Sequence, residues 1–314
     1  MIPALAVLSA LGGCGGHVNT GTWTLSAGDL AGTRSASGSA INSSNVAALQ
    51  IRWRFRFRAK PNAAGIFAST SIADRESVYV QDLHNDVYAL DRATGAVRWA
   101  QRLRARASGP NGLATDDGRI YGTTDTGVFA LSASNGRELW HVSLVRRSRH
   151  HIDVAPVVWE GLVLISARGS ERRSRGAIYA LDAATGRVRW KFVGIAQPSY
   201  SVSVDPLGRL YANSLLVLDG ATGRLLWQDQ VGQHNLRTDG SEATPILATA
   251  GAMNLVLSAG KAAGRVIAWN RDTRRQLWAA TVQLPTACSG GLGIRTPMAY
   301  ANGRLFVPIA DLCG

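Results

Sequence analysis

Few residues in this chain have types and spacings suited to chemistry. Of six histidines, only His150-His151 are adjacent, at the end of Arg146-Arg147-Ser148-Arg149-His150-His151. Adjacent histidines without a spaced acid or cysteine make a poor metal site, and the stretch reads as a solvated inter-blade loop. Cys14, Cys288 and Cys313 include no Cys-x-x-Cys-His haem spacing and no adjacent cysteine pair. No Ser-His-Asp or Cys-His arrangement has nucleophile spacing. Isolated groups remain. Glu171 precedes Arg172 and Arg173 and reads equally as a solvated acid. Lys261 is one of only three lysines and reads equally as a surface cation.

The elements that must position these groups form a repeat. Val87-Tyr88-Ala89-Leu90-Asp91 is followed by Thr94-Gly95 and Trp99. Ile178-Tyr179-Ala180-Leu181-Asp182, Thr185-Gly186 and Trp190 form the clearest copy. Further copies end at Trp140, Trp227 and Trp278, and Trp53 carries the end of another; the Trp-to-Trp spacings are 46, 41, 50, 37 and 51. Tyr-Ala-Leu alternates as a strand. In Asp-x-x-Thr-Gly the Asp caps a tight turn and the Gly takes the left-handed position. Hairpin signals precede most copies, as at Asp117-Gly118 and Glu160-Gly161. Four short strands per period of about 40 to 50 residues define a propeller blade. The fold class is therefore all-β, a β-propeller of four-stranded antiparallel blades. Tryptophans at a fixed blade position act as wedges between blades.

Composition agrees. An apolar content of 46% excludes a wholly disordered chain, and three cysteines exclude a disulfide-rich miniprotein. The net charge of +13 is almost all arginine. The arginines are dispersed, many beside turn glycines, so nucleic acid is not the expected partner.

The pattern A-L-D-x-x-T-G-x-x-x-W resembles the pyrroloquinoline-quinone (PQQ) propeller repeat. Three segments resemble quinoprotein alcohol dehydrogenases within that family: Asp29-Leu30-Ala31-Gly32-Thr33-Arg34 of an N-terminal arm, Gly169-Ser170-Glu171, and Gly260-Lys261 before Gly264-Arg265. The resemblance implies PQQ and Ca²⁺ as cofactors and a small alcohol as substrate. It places Glu171 and Asn213 as oxygen ligands of the cation, a donor type suited to Ca²⁺, and Lys261, Asp153 and Ser170 beside the quinone. Asp153 stands where the relatives have a threonine. No catalytic Asp remains in the shortened Tyr211-Ala212-Asn213-Ser214 loop, and His234-Asn235-Leu236-Arg237 resembles a family His-Asp segment without its acids. The family's other users of the repeat are outer-membrane assembly lipoproteins, which implies a scaffold for envelope proteins as the alternative.

The start of the chain resembles a lipoprotein leader: Leu11-Gly12-Gly13-Cys14 matches a lipobox, so Cys14 is the expected lipidation site, without the usual basic n-region. That assigns residues 1–14 to a signal peptide, 15–44 to a tether and arm, and 45–314 to the propeller, exported and lipid-anchored to the cell membrane. Cys288 and Cys313 form a candidate disulfide in that compartment. Leu49 to Arg58 reads as a strand with Trp53, Phe55 and Phe57 on one face. Five blades are complete, two more strands are expected near Pro297–Tyr300 and Arg304–Ile309, and the relatives' eight blades make this chain read as ending mid-blade.

Overall fold

A computed structural model describes residues 21–57, 69–82, 84–103, 105, 111–146, 150–169, 175–195, 201–212, 215–229, 244–260, 264–282, 294 and 297–308. The first blade is β1 (Ile72–Ala73), β2 (Ser77–Gln81), β3 (Asp86–Asp91) and β4 (Val97–Arg102). The second is β5 (Leu113–Asp116), β6 (Arg119–Thr123), β7 (Gly127–Ser132) and β8 (Glu138–Ser143). The third begins with a two-residue strand, β9 (His150–His151), then β10 (Val157–Trp159), β11 (Leu162–Gly169), β12 (Gly176–Asp182) and β13 (Val188–Ile195). The fourth is β14 (Ser203–Val204), β15 (Arg209–Ala212), β16 (Leu216–Asp219) and β17 (Leu225–Gln228). The fifth is β18 (Ile246–Ala250), β19 (Met253–Gly260), β20 (Arg265–Asn270) and β21 (Gln276–Thr281), and a hairpin β22 (Ala299–Ala301) with β23 (Arg304–Phe306) follows.

Every four-stranded sheet is an antiparallel meander in sequence order. First strands lie side by side at the axis, β5 against both β1 and β10, β18 against β14 and β22. The third strand is buried, as in β7, whose first five residues are all inside. The fourth strand is outermost and half exposed. This is the β-propeller expected from the repeat. The axial segments therefore run in one direction, and two faces result. On the entry face, first strands begin and second strands end. On the turn face lie the Asp-x-x-Thr-Gly turns.

The turn chemistry follows the sequence. Asp91 Oδ1 accepts hydrogen bonds from Thr94 N at 3.0 Å and Thr94 Oγ1 at 2.9 Å, and Gly95 has φ +73°. Asp182 and Asp219 hold Thr185 and Thr222 in the same way. In four of the five blades the tryptophan then faces an alanine across the outer strand pair, Ala89 opposite Trp99, Ala130 opposite Trp140, Ala180 opposite Trp190 and Ala268 opposite Trp278, while Trp227 faces Val217. A one-residue register shift follows that pair in all five blades, a bulge that re-aims the ring. The indole reaches the next blade: Trp99 Nε1 donates to Ala133 O at 2.8 Å, Trp140 to Ala183 O at 3.1 Å, Trp190 to Gly220 O at 3.0 Å. The turn glycine is required there, since a Cβ on Gly136 would lie 2.5 Å from the Trp99 ring.

The fifth blade departs from this scheme. Arg274 occupies the glycine position at φ +60°. Trp269 replaces the usual leucine, is fully buried, and donates through Nε1 to Asp229 Oδ2 at 2.8 Å. Trp278, on the last outer strand, is 43% exposed.

One expected strand is corrected. Residues 49–57 belong to no sheet among the described residues. Their alternation is nevertheless as read: Trp53, Phe55 and Phe57 are half-buried while Arg52, Arg54 and Arg56 are exposed. Trp53 donates to Arg92 O at 3.0 Å and lies over Gly95, and Phe55 and Phe57 pack on Tyr88. Docking by side chains alone places this segment like an outer strand without a ladder.

The arm is more deeply engaged than its small residues suggest. Trp23 exchanges two backbone hydrogen bonds with Ala73 of β1, and Thr24 O accepts from Thr115 of β5. Leu30 O accepts from Val204 of β14, Ala31 O from Leu247 of β18, and Thr33 O from Tyr300 of β22. Leu25 and Ala27 are buried in between. The arm thus bonds to the axial strand of each of six consecutive units except the third, whose core it meets through Leu25. Its contacts run from Ala73, Thr115 and Val204, in the second halves of their strands, to Leu247 near the start of β18, and Gly32 lies close to Ser203, Thr244 and Pro245, so the arm crosses the axial strands rather than capping one face. Asp29 holds it in shape by accepting from Thr33 N at 2.9 Å and from Thr33 Oγ1.

Candidate functional site

With the turn face occupied by the Asp-x-x-Thr-Gly turns, the entry face is the candidate place for function. The elements that reach it end in polar side chains. Asn111 precedes β5, Asp153 precedes β10, Ser201 precedes β14 and Thr244 precedes β18. Some of these tie neighbouring blades. Gln81 Nε2 donates to Thr123 O at 2.8 Å, Thr123 Oγ1 to Val154 O at 2.8 Å, Ser201 Oγ to Ala155 O at 2.7 Å and Ser203 Oγ to Pro245 O at 2.6 Å. They leave hydrogen-bonding capacity over. Gln81 Oε1, Asn85 Nδ2, Asn111 Oδ1, Asp153 Oδ1, Ser166 Oγ and Thr244 Oγ1 are buried without a hydrogen-bond partner among the described residues. All six belong to strand ends or upper strand halves on the entry side. Buried polar groups are nearly always satisfied, so this concentration marks a place built for a polar ligand or bound water.

The charged part of this face centres on Asp153. The third blade is extended there: β9 pairs with the far end of β11, His151 opposite Arg168 and His150 opposite Gly169. The histidine pair is therefore a half-buried strand rather than the solvated loop its sequence suggests, because β11 outlasts β10 and offers an edge. Between β9 and β10 the chain bends, and the second blade grips the bend. Ile152 N donates to Asp125 O at 2.9 Å, and Asn111 Nδ2 donates to Ile152 O at 3.3 Å. With Thr123 holding Val154, the backbone on both sides of Asp153 is fixed. The Asp153 side chain is 13% exposed; its Oδ2 lies 3.5 Å from His151 Nε2 and 3.8 Å from Arg168 Nε. Burial pushes the Asp153 carboxyl above its ordinary value, with Arg168 and His151 opposing. A buried carboxyl held beside an arginine and a histidine is a candidate functional group, and its neighbours can share an anionic ligand.

Of the residues singled out in the sequence, Asp153 alone lies within the described residues. Ser170, Glu171, Asn213, Lys261, Cys14, Cys288 and Cys313 lie outside them, as does the His234 segment. The flanking strands still carry information. Ser170 and Glu171 follow β11, Asn213 follows β15 and Lys261 follows β19. The described strands β11, β15 and β19 are the second strands of blades three, four and five. Among the described residues no group of three or more His, Cys, Asp or Glu could hold a metal ion, and no helix is long and apolar enough to cross a membrane. Sequence reasoning missed His151 and Arg168 as partners of Asp153. Their cross-strand pairing depends on the fifth strand of one blade, which has no repeat signature.

A second charged cluster serves stability. Asp205, fully buried, accepts from Arg209 Nε at 2.7 Å, Tyr211 OH at 3.1 Å and Arg271 Nη1 at 3.3 Å. It joins blades four and five on the turn side. Burial and Asp205 raise the Tyr211 hydroxyl well above its usual range.

Comparison with known proteins follows the same lines. The family model PQQ_2, described as outer membrane protein assembly factor BamB, matches residues 19–112, 42–190 and 85–290. A quinohemoprotein alcohol dehydrogenase from Comamonas testosteroni is 27% identical over 235 residues, covering 70% of this chain and 33% of that protein. A lanthanide-dependent methanol dehydrogenase from Methylacidiphilum fumariolicum is 31% identical over 186 residues, covering 54% and 30%. The solved quinohemoprotein alcohol dehydrogenase ADHIIG of Pseudomonas putida HK5 superposes with TM-score 0.80 at 20% identity, over 92% of this chain and 57% of that one. That likeness shows the fold. The chain spans about a third of the length of the curated relatives it matches.

Proposed function

The chain belongs to the PQQ_2 family, described as outer membrane protein assembly factor BamB, and from that premise we propose that it is a dehydrogenase-like propeller that binds a carboxylate-bearing quinone at its entry face. The observation that carries this reading is the set of six buried, unpartnered polar atoms on that face, grouped around a carboxyl flanked by Arg168 and His151. They fit a flat, polar, anionic cofactor. Arg168 and His151 would pair with its carboxylates, and Asn111 Oδ1, Ser166 Oγ and Thr244 Oγ1 would meet its ring polar groups or bound water. Lys261 and Ser170 are placed beside the quinone, and Glu171 and Asn213 as donors to Ca²⁺, by resemblance. A bound quinone supplies a two-electron acceptor; the protein's residues supply orientation and proton transfer. The substrate class is a small primary alcohol, and the location is the outer side of a cell membrane, anchored through Cys14.

Reconstitution tests this. The protein with PQQ and Ca²⁺ should quench its tryptophan fluorescence saturably and reduce an artificial dye with primary alcohols. Neither binding nor dye reduction at saturating PQQ defeats the reading.

The family description favours a second reading, a scaffold for outer-membrane assembly without catalysis. It predicts cross-linking of the chain to envelope proteins with no effect of PQQ, and recovery of no cross-linked partner counts against it.

A further inference from the structure

Between Asp29 and Asp74 the sequence holds no acid, yet it holds Arg34, Arg52, Arg54, Arg56, Arg58 and Lys60. The same stretch carries exposed apolar side chains. Residues 36–52 are exposed throughout, and within them Ile41, Val46, Leu49 and Ile51 are from 50% to 67% exposed. The loop does not depend on burying them, because its own polar side chains shape it. Asn45 Oδ1 accepts from Asn42 N at 2.8 Å, Asn45 Nδ2 donates to Ala40 O at 2.8 Å, and Asn42 Oδ1 accepts from Ser44 N at 2.9 Å. Four large apolar side chains set outward on one hydrogen-bonded loop mark a contact surface. Arg52, Arg54 and Arg56 follow at every second position, on the face opposite Trp53, Phe55 and Phe57, which hold the segment to the first blade. Arg52 uses Nε to donate to Ala93 O at 3.0 Å. Arg54 and Arg56 form no ion pair among the described residues.

We propose that residues 41–56 are a membrane-contact surface, on which the apolar side chains enter the headgroup region of a bilayer and the arginines pair with anionic lipid phosphates. Apolar insertion combined with basic attraction is how interfacial segments bind. The absence of acids selects an anionic surface. The four apolar side chains select a lipid surface over nucleic acid, whose phosphate backbone gives them nothing to enter. The placement suits the lipid anchor expected at Cys14. That residue lies nine positions before Trp23, which bonds to β1 of the same blade that carries the arginine row. The quinone reading is not used in this inference.

Vesicle binding tests it on the full chain carrying Cys14→Ser, so that no acyl chain contributes. The protein should co-sediment with vesicles of phosphatidylglycerol and phosphatidylcholine in equal parts, not with phosphatidylcholine alone, and less as salt rises. Arg54→Gln with Arg56→Gln should weaken binding about 30-fold, at about fivefold for each arginine near an anionic surface. Leu49→Ser with Ile51→Ser should weaken it about tenfold. All four side chains are exposed, so both double variants should melt with the wild type. No binding to the mixed vesicles, or equal binding to phosphatidylcholine alone, overturns the inference. So does binding unmoved by the arginine pair. Binding that needs the arginines but ignores Leu49→Ser and Ile51→Ser is attraction to any polyanion, a DNA duplex included, and also overturns it. Self-association without vesicles that the same substitutions abolish makes the occupant a second copy of the chain and overturns it as well.

Discussion

Replacing Trp140 by Ala tests the principle on which the blades are joined. The ring rests over Gly186 of the next turn, lies 6.0 Å from Tyr121 in a tilted pair and packs against the largest core cluster. Its Nε1 donates to Ala183 O. Loss of a large buried ring costs about 3 to 5 kcal/mol, of which the hydrogen bond contributes about 1 kcal/mol and the aromatic pair about 1 kcal/mol. Partial exposure of the ring puts the expectation near the lower end, about 3 kcal/mol. Trp278→Ala is the internal control. That residue has the same sequence position, but it is 43% exposed, so its loss should cost under about 1 kcal/mol. Urea unfolding followed by far-UV circular dichroism measures both. Equal destabilisation by the two substitutions would refute the argument that docking on the next blade, rather than position within the blade, stabilises the tryptophan.

Further expectations follow from single contacts. Gly136→Ala adds a Cβ 2.5 Å from the Trp99 ring at φ +72°. It should cost more than Gly118→Ala, which meets open space and suffers only backbone strain of about 1 kcal/mol; melting temperatures of the two variants decide. The Asp91 carboxyl is lowered to about 2, chiefly by hydrogen bonding to Arg98 and then to Thr94. A depressed carboxyl contributes stability that is present above its unfolded value of 3.8 and is lost as pH falls toward about 2. The acid limb of a stability–pH curve should flatten in Asp91→Asn. Asp153 has the opposite sign: its carboxyl is raised by burial. Its penalty therefore grows as pH rises from the unfolded value of 3.8 toward its raised midpoint and levels off above it, and Asp153→Asn should unfold at higher urea than wild type at neutral pH. Asp29→Ala removes the clamp on Thr33 and should expose the arm to limited proteolysis ahead of the blades.

The blades were legible because their signals are local. Asp91, Thr94 and Gly95 form a turn from neighbouring residues alone, and Trp99 follows at a fixed distance, so one period predicts its own four strands. Trp53 was assigned to the same role from spacing, and it does dock on Gly95. Its flanking segment was read as a strand because alternation reports which side chains face inward and carries no information on whether a ladder partner is present. The arm was visible as a small-residue segment, but its bonds to β1, β5, β14, β18 and β22 are made by backbone atoms, which composition does not encode. At the site, Asp153 was found through resemblance. Its partners His151 and Arg168 were missed because β9 breaks the four-strand period, and a repeat reading treats what breaks the period as loop.

The division of labour between the two faces has a physical basis. On the turn face the recurring contacts are satisfied ones: Asp91, Asp182 and Asp219 bind threonines, the indoles of Trp53, Trp99, Trp140 and Trp190 bind carbonyls, and Asp205 binds two arginines and a tyrosine. Such satisfied networks rigidify the ring. The entry face inherits that rigidity through the strands and can then carry what would be costly elsewhere, namely open acceptors and a buried acid. The cost is of the order of 1 to 3 kcal/mol for each unsatisfied group, so six such atoms on one face would amount to a large share of a typical folding stability. The arm adds to that rigidity by bonding five axial strands, and Asp153 stands among the entry-side groups that this rigidity supports.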